Sequence, residues 1–350
     1  MIEELSKSLI NEAISLLASD IHFMPIIDNY QIFFRVNGQL HFHKNVPLSL
    51  GRKIIAHYKF LANMDVGEKR RPQSGACPFK ISEEQTIELR LSTITNVNLI
   101  ESLVVRVIFS KIHNFQQINS YFPNQIDRIR KLIRRKSGMI LISGPVNSGK
   151  TTTIYQLLRE RMNEEKLQII TMEDPVEIKE ASFLQTQVNE KIGISYDLLI
   201  KSSLRHHPDI LFIGEIRDEE TARMTLRGAL TGHLMIATIH AKDTFGVIAR
   251  LKELTISEQQ LKQSLIGVIS QRLVPRFCPF CKSSVQVSCN HIPKKFHRAA
   301  LFEILDGQQL KEYLNHFNLP LNFSPLNHQL RKAWAYGYIT KKEYERFEVL

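Results

Sequence analysis

Cysteine is scarce: four in 350 residues, too few for a disulfide framework, and two of them, Cys278 and Cys281, share a Cys-Pro-Phe-Cys unit. That usage fits a reducing compartment. Long apolar runs are missing as well. No stretch of about eighteen consecutive apolar residues occurs, so no spanning helix is expected, and the opening Met1-Ile-Glu-Glu lacks the basic and apolar regions of an export signal. The expectation is a cytoplasmic protein. Internal repeats and low-complexity tracts are absent too. Nor is there an excess of acid: Lys and Arg number 46 against 35 Asp and Glu, a formal charge of +11. Such a balance favours phospholipid head groups, nucleic acid or nucleotides as partners without choosing among them.

What is present is enough apolar residue, 43%, for two or three domains with cores of their own. Ile2, Leu5, Leu9, Ala13, Leu16 and Leu17 recur at helical spacing, the mark of an amphipathic packing helix. Asn37-Gly38 separates two β-rich runs, and this pair tolerates positive φ at both turn positions, so a two-residue hairpin is predicted there. With further β-rich segments at 88–93 and 103–109, residues 1–111 read as an α+β domain. A stretch without periodicity, 112–122, reads as a linker. Over 123–275 short apolar runs at 139–143, 167–171, 210–213 and 234–239 alternate with helical or loop stretches. That alternation predicts a parallel sheet covered by helices. Residues 276–350 read as a mostly helical region around the cysteine unit.

The most specific signal is Gly144-Pro145-Val146-Asn147-Ser148-Gly149-Lys150-Thr151, which has the G-x-x-x-x-G-K-[ST] spacing between an apolar strand and a helix-compatible run opening at Thr152. Glycines let the backbone curl so that successive N–H groups face phosphate oxygens, and the following helix adds the positive end of its dipole. Lys150 contributes a point charge, and Thr151 offers a hydroxyl to Mg²⁺. Such a loop binds ATP without itself splitting it, so acids are sought at the ends of neighbouring strands. Ile169 to Glu177 gathers Glu173, Asp174 and Glu177, one of which would orient the attacking water. Pro208 to Glu215 is an apolar strand delivering Glu215 to the metal side. Thr231 to His240 places His233 and His240 at the two ends of another short strand.

Taken together, these boxes resemble the secretion-superfamily ATPases that power type II secretion and type IV pilus assembly. The resemblance rests on the phosphate loop, Ile170-Thr-Met-Glu-Asp-Pro-Val-Glu177, Leu204 to Asp218 and Thr231 to His240, in that order. Ser19-Asp-Ile-His22, Phe34-Arg-Val-Asn-Gly38, Arg71-Pro-Gln73, Leu89-Arg-Leu-Ser-Thr93 and Val105-Arg-Val-Ile108 resemble the second N-terminal domain of those motors. The resemblance implies a RecA-like P-loop core joined to a smaller N-terminal domain, acting as a homo-hexamer with a polytopic membrane platform protein, peripheral at the inner face of the membrane. It implies Glu177 as the water-orienting base, Glu215 as the acid near Mg²⁺, Glu173 as a supporting acid, and His233 and His240 as sensors of the γ-phosphate. Arg90 and Arg106 match arginines that reach the nucleotide on domain closure; the alternative is a pair of strand-surface arginines.

Within the family, a short N-terminal region combined with Cys278-Pro-Phe-Cys281 is most similar to the competence-pilus branch, which serves DNA uptake. The sequence departs from the family pattern at Asn37, Ser74 and Ala76. A retraction motor, a DNA-translocating ATPase and a nucleotide-switched scaffold stay open as alternatives, although direct nucleic-acid contact is not expected. Cys289 and His291 would complete a zinc site with Cys278 and Cys281, or else the cysteines are unrelated thiols. Finally, Arg128 to Lys136 carries six cations that either line a helix packed on the core or meet an anionic membrane surface or another subunit.

Overall fold

The computed structural model describes residues 1–81, 86–108, 118–318 and 322–349. Two compact units emerge, one comprising Met1–Asn114 and Gln286–Lys295 and the other Phe115–Val285 and Phe296–Leu350. Most of the expected linker, 112–117, lies outside the described residues.

In the first unit, α1 (Ile2–Ser15) is followed by β1 (Asp20–Pro25), β2 (Asn29–Val36), β3 (Gln39–Pro47), α2 (Leu48–Leu61), β4 (Gln73–Lys80), β5 (Thr86–Thr95) and β6 (Glu101–Ile108). The strands form a sheet of order β3-β2-β1-β6-β5-β4 with every neighbouring pair antiparallel. Alternation decides which face is covered: Tyr30, Ile32, Phe34 and Val36 of β2 are buried together with Leu9, Ile10 and Ala13 of α1 and Ile54, Ile55 and Tyr58 of α2. Arg35 belongs to the other parity and stays on the polar face. The predicted hairpin is present, with Asn37 at φ 53° and Gly38 at φ 81° between Val36 and its partner Gln39.

The second unit runs α3 (Pro123–Ile133), β7 (Gly138–Ser143), α4 (Lys150–Glu164), β8 (Ile169–Glu173), β9 (Leu184–Gln187), α5 (Tyr196–Ser203), β10 (Ile210–Ile213), α6 (Glu219–Leu230) and β11 (Leu234–Ile239). It continues through α7 (Thr244–Glu253), α8 (Glu258–Ser264), β12 (Leu265–Pro275), the small hairpin β13 (Phe277–Cys278) and β14 (Ser283–Ser284), β15 (Arg298–Asp306), α9 (Gly307–His316), α10 (Leu326–Ala335) and α11 (Lys341–Phe347). The sheet order is β15-β12-β7-β11-β10-β8-β9. Every pairing is parallel except that of the edge strand β15 with β12.

Each residue of β7, β10 and β11 is buried, as a strand covered on both faces requires. Met139 and Leu141 join one core with α5 to α9, whereas Ile140 and Ile142 join another with α3 and α4. The chain is therefore a mixed α/β protein whose larger unit is a parallel sheet between helical layers. Strand β15 falls in the region read from sequence as mostly helical; it pairs with β12 along nine residues and is covered by α10, which packs Leu326 and Leu330 against Leu301.

The basic segment forms α3, and three of its cations are paired inside the unit. Arg128 bonds Asp306 at 2.9 Å, Arg130 bonds Glu160 at 2.8 Å and Arg134 bonds Glu164 at 3.0 Å. Half of the six-cation run thus faces carboxylates of its own chain, which supports the packed-helix reading over a membrane-facing one.

Candidate functional site

Because the central strands are parallel, their C-terminal ends share one edge, and ligands in open α/β sheets bind along that edge. Four of the predicted boxes arrive there: the glycine-rich loop after β7, Glu173 at the end of β8, Glu215 two residues past β10, and His240 one residue past β11. Edge geometry, more than motif order, makes them a site.

The loop reverses at Asn147, with φ 63°, and enters α4 through Gly149, whose φ of 82° only glycine adopts readily. Gly144 is constrained by contact as well as by its φ of 149°, since a Cβ there would lie 2.4 Å from the Gln271 carbonyl oxygen. Pro145, Val146 and Asn147 are exposed at the rim, while Ser148 is buried. Lys150 Nζ donates to the carbonyls of Gly144, at 2.8 Å, and Pro145, at 3.2 Å. Burial lowers the Lys150 pKa, opposed by the carboxylates of Glu215 and Glu177. Both acids are therefore near enough to favour its charge. Thr151 and Thr152 occupy the first turn of α4, where backbone N–H groups are open to an anion.

Glu215 is half-enclosed between two partners: its Oε2 accepts from Arg217 Nε at 2.7 Å, and its Oε1 lies 3.0 Å from His240 Nε2. Arg217 also donates to Asp174 Oδ2 at 2.9 Å. Its pKa rises chiefly through the hydrogen bond to Glu215. The chain Asp174–Arg217–Glu215–His240 ties the ends of β8, β10 and β11 into one polar strip. Glu177 stands exposed beyond that strip.

Two expected members stand off the open edge. Glu173 is buried beneath the edge, accepting from Thr171 Oγ1 at 2.9 Å and from the Tyr155 hydroxyl, which itself accepts from Gln185 at 2.7 Å. Burial raises its pKa. It links helix α4 to the acidic turn from inside and does not stand beside Glu215 on the open edge. His233 precedes β11, at the opposite edge of the sheet, with its ring 3.2 Å from Thr231. The two histidines stand at opposite ends of β11, as read from the sequence, roughly 23 Å apart at about 3.3 Å per residue, and it is His240 that lies at the C-terminal edge of this sheet.

Arg106 and Arg90 are cross-strand partners on the polar face of the first unit's sheet. Arg106 Nε donates to buried Asp20 at 2.9 Å, and Arg90 Nε to Glu88 at 3.0 Å. Their proposed reach to nucleotide is taken up below.

Sequence reading missed Gln271. Its side-chain amide donates to the Ser148 carbonyl at 2.8 Å, and it is 1% exposed. The available signal was Ser270-Gln271-Arg272, three polar residues inside an otherwise apolar run, since polar side chains are not buried without a partner to satisfy. Arg272 bonds the Lys242 carbonyl just past His240, so adjacent residues of β12 hold both the glycine-rich loop and the histidine loop.

Cys278, Cys281, Cys289 and His291 bring one ligand atom each to within 4.8 Å of one another. Cys289 Sγ lies 3.8 Å from His291 Nδ1. Three thiols and an imidazole are a donor set that fits zinc. Cys77 is elsewhere, in the core of the first unit, where burial raises its thiol pKa.

Residues 1–316 match the family described as Type II/IV secretion system protein. The chain is 38% identical over 353 residues to the "Competence protein ComGA" of Bacillus subtilis (strain 168), covering 99% of this chain and 98% of that one. It is 41% identical over 274 residues to the "Competence protein ComGA" of Streptococcus pneumoniae (strain ATCC BAA-255 / R6), covering 78% and 85%. Among solved structures, the pilus retraction motor PilT with bound ADP superposes with a TM-score of 0.67 at 25% identity, over 98% of this chain and 96% of that one.

Proposed function

The chain belongs to the family of type II/IV secretion system proteins and is an ATPase; from that premise we propose that it is the motor that assembles a competence pilus for DNA uptake. The observation that carries this reading is the nearly end-to-end match to a competence protein. It works in the cytoplasm as a homo-hexamer at the inner face of the membrane, turning against a polytopic platform protein that adds pilin subunits to a fibre. No helix among the described residues is long and apolar enough to cross a membrane.

In this reading ATP lays its phosphates along Gly144 to Thr152, over the N-terminus of α4, and Lys150 leaves its two carbonyls for phosphate oxygens. Mg²⁺ supplies charge neutralisation for the phosphates when bound, and Thr151 and Glu215 are the residues that would hold it. Glu177, exposed and close enough to be felt at Lys150, orients water. His240 meets Glu215 at 3.0 Å, so a change around Glu215 on phosphate loss is transmitted to β11. Glu173 holds the acidic turn from below. Arg106 and Arg90 reach the nucleotide when the first unit closes over it, and an arriving arginine raises turnover by roughly 10³ to 10⁵. Zinc at Cys278, Cys281, Cys289 and His291 acts as a structural clip.

A retraction motor is the second reading, favoured by the likeness to PilT. A DNA-translocating ATPase and a nucleotide-switched scaffold are the others. Purified protein is assayed for phosphate release alone, with anionic vesicles carrying the platform protein, and with duplex DNA. The assembly-motor reading expects stimulation by the platform vesicles, none by DNA, and loss of pilus fibres from cells carrying Lys150→Ala. Stimulation by DNA alone, or fibres that persist but fail to shorten, sinks it. An unchanged rate in Lys150→Ala sinks the site itself.

A further inference from the structure

The donor set of the phosphate loop is its own backbone, and a backbone N–H can serve an anion only if its peptide plane is turned the right way. A trans peptide fixes the C=O of one residue antiparallel to the N–H of the next. In the Ser148–Gly149 peptide the carbonyl accepts from Gln271, which holds it at 2.8 Å through Nε2. The Gly149 N–H is thereby directed the opposite way, away from Gln271. Gly149 has φ 82°, and glycine has little intrinsic preference to keep the plane there. Something outside the loop has to hold it.

Gln271 is built for that task. It lies on β12, next to β7 in the sheet, in register between Ser270 and Arg272. It is 1% exposed, and its partner residue Ser148 is 3% exposed. Its backbone carbonyl closes against Gly144, and its amide nitrogen would lie 3.2 Å from a Cβ at Gly149. One residue therefore braces the first and last glycines of the loop. Its Oε1 and the Ser148 hydroxyl are buried without hydrogen-bond partners. An unsatisfied amide oxygen is a cost that a purely structural residue would be expected to shed for an apolar one.

We propose that Gln271 is a positioning residue of the ATP site, which orients the Gly149 amide toward phosphate by holding the Ser148 carbonyl from behind. This rests on the reading that residues 144–151 hold the phosphates, and Lys150→Ala tests that reading separately. In this role Gln271 works through its contacts with Gly144, Ser148 and Gly149, so its removal acts on nucleotide affinity through the loop.

The test measures binding of a fluorescent ADP to the full chain without Mg²⁺, alongside melting temperature and steady-state turnover. Gln271→Met keeps the length of the side chain and deletes the donor. Its dissociation constant is expected to rise about tenfold, the size of one lost hydrogen bond, with KM rising in parallel and kcat changed far less. Gln271→Glu gives a readout that packing alone would not produce. A protonated carboxyl donates to the Ser148 carbonyl and a carboxylate cannot, so affinity in this variant falls as pH rises through that carboxyl's pKa while the parent stays flat. Should Gln271→Met fail to fold, the pH profile of Gln271→Glu decides alone. Affinity within twofold of the parent in Gln271→Met, or a flat profile in Gln271→Glu, overturns the proposal. If Lys150→Ala also leaves binding intact, the fault lies with the site; if it weakens binding while both Gln271 variants do not, the fault lies with Gln271.

Discussion

A single buried acid gives the sharpest test at the residue scale. Glu173 is enclosed by Tyr155 and Thr171, and burial lifts its pKa above the ordinary 4.5. Folded protein therefore binds this proton more tightly than the unfolded chain does. The resulting stabilisation is complete below about pH 4.5 and is lost as pH climbs through the folded value. Glu173→Gln keeps the shape without the titration. Melting curves of the two proteins should converge near about pH 4.5, with the parent dropping progressively below the variant as pH rises from there; a constant difference as pH rises would show that the carboxyl does not titrate as described. The same residue marks what sequence does and does not disclose. Its place after an apolar strand was legible, because strands ending in acids have a local signature. Its inward direction was not, because that depends on Tyr155 arriving from α4. His233 is the converse case: its position at the far end of a strand was legible, and strand length already separated it from His240.

Elements are fixed to one another by a few side chains that serve two at once. Glu303 of β15 is buried and accepts from the Thr244 amide at 2.8 Å, the Thr244 hydroxyl at 2.7 Å and the Leu326 amide at 2.6 Å. One carboxylate thus satisfies the first turns of both α7 and α10, where helix N–H groups have no partner of their own. Glu303→Ala strands those donors and should cost about 3 kcal/mol, a fall in melting temperature of roughly 6–12 °C for a unit of this size. Glu303→Gln, which retains one acceptor, should lose less; equal melting temperatures for parent and Glu303→Ala would refute the capping role. Helix α1 was readable from apolar spacing, and β7 from its short apolar run, whereas α7 and α10 lay in stretches read only as helical or loop and as mostly helical. β15 escaped because its partner β12 lies across a long excursion of chain, and pairing between distant segments leaves no periodicity in either.

For the whole molecule, charge and metal give different lessons. The net charge of +11 pointed toward acidic partners, yet Arg128, Arg130 and Arg134 find theirs within the chain. Summed charge is blind to such pairing. The cysteines behave oppositely: one Cys-x-x-Cys unit looked like half a site, and the fold supplies Cys289 and His291 beside it. Purified protein should carry close to one zinc per chain, falling toward zero in Cys278→Ser and Cys289→Ser but not in Cys77→Ser. Metal-free protein with parent melting behaviour would remove zinc from the account. The position of β15 has a temporal side as well. Strand β12 lies second from one edge of the larger unit's sheet, and its outer flank is closed by residues 298–306. On a translating ribosome the phosphate loop and its acids are made long before that closing strand, so β12 must wait with one flank of backbone groups open. For that interval a nascent chain carries a nearly complete nucleotide site on an unsealed sheet, and its exposure to mispairing is set by how quickly residues 276–306 emerge.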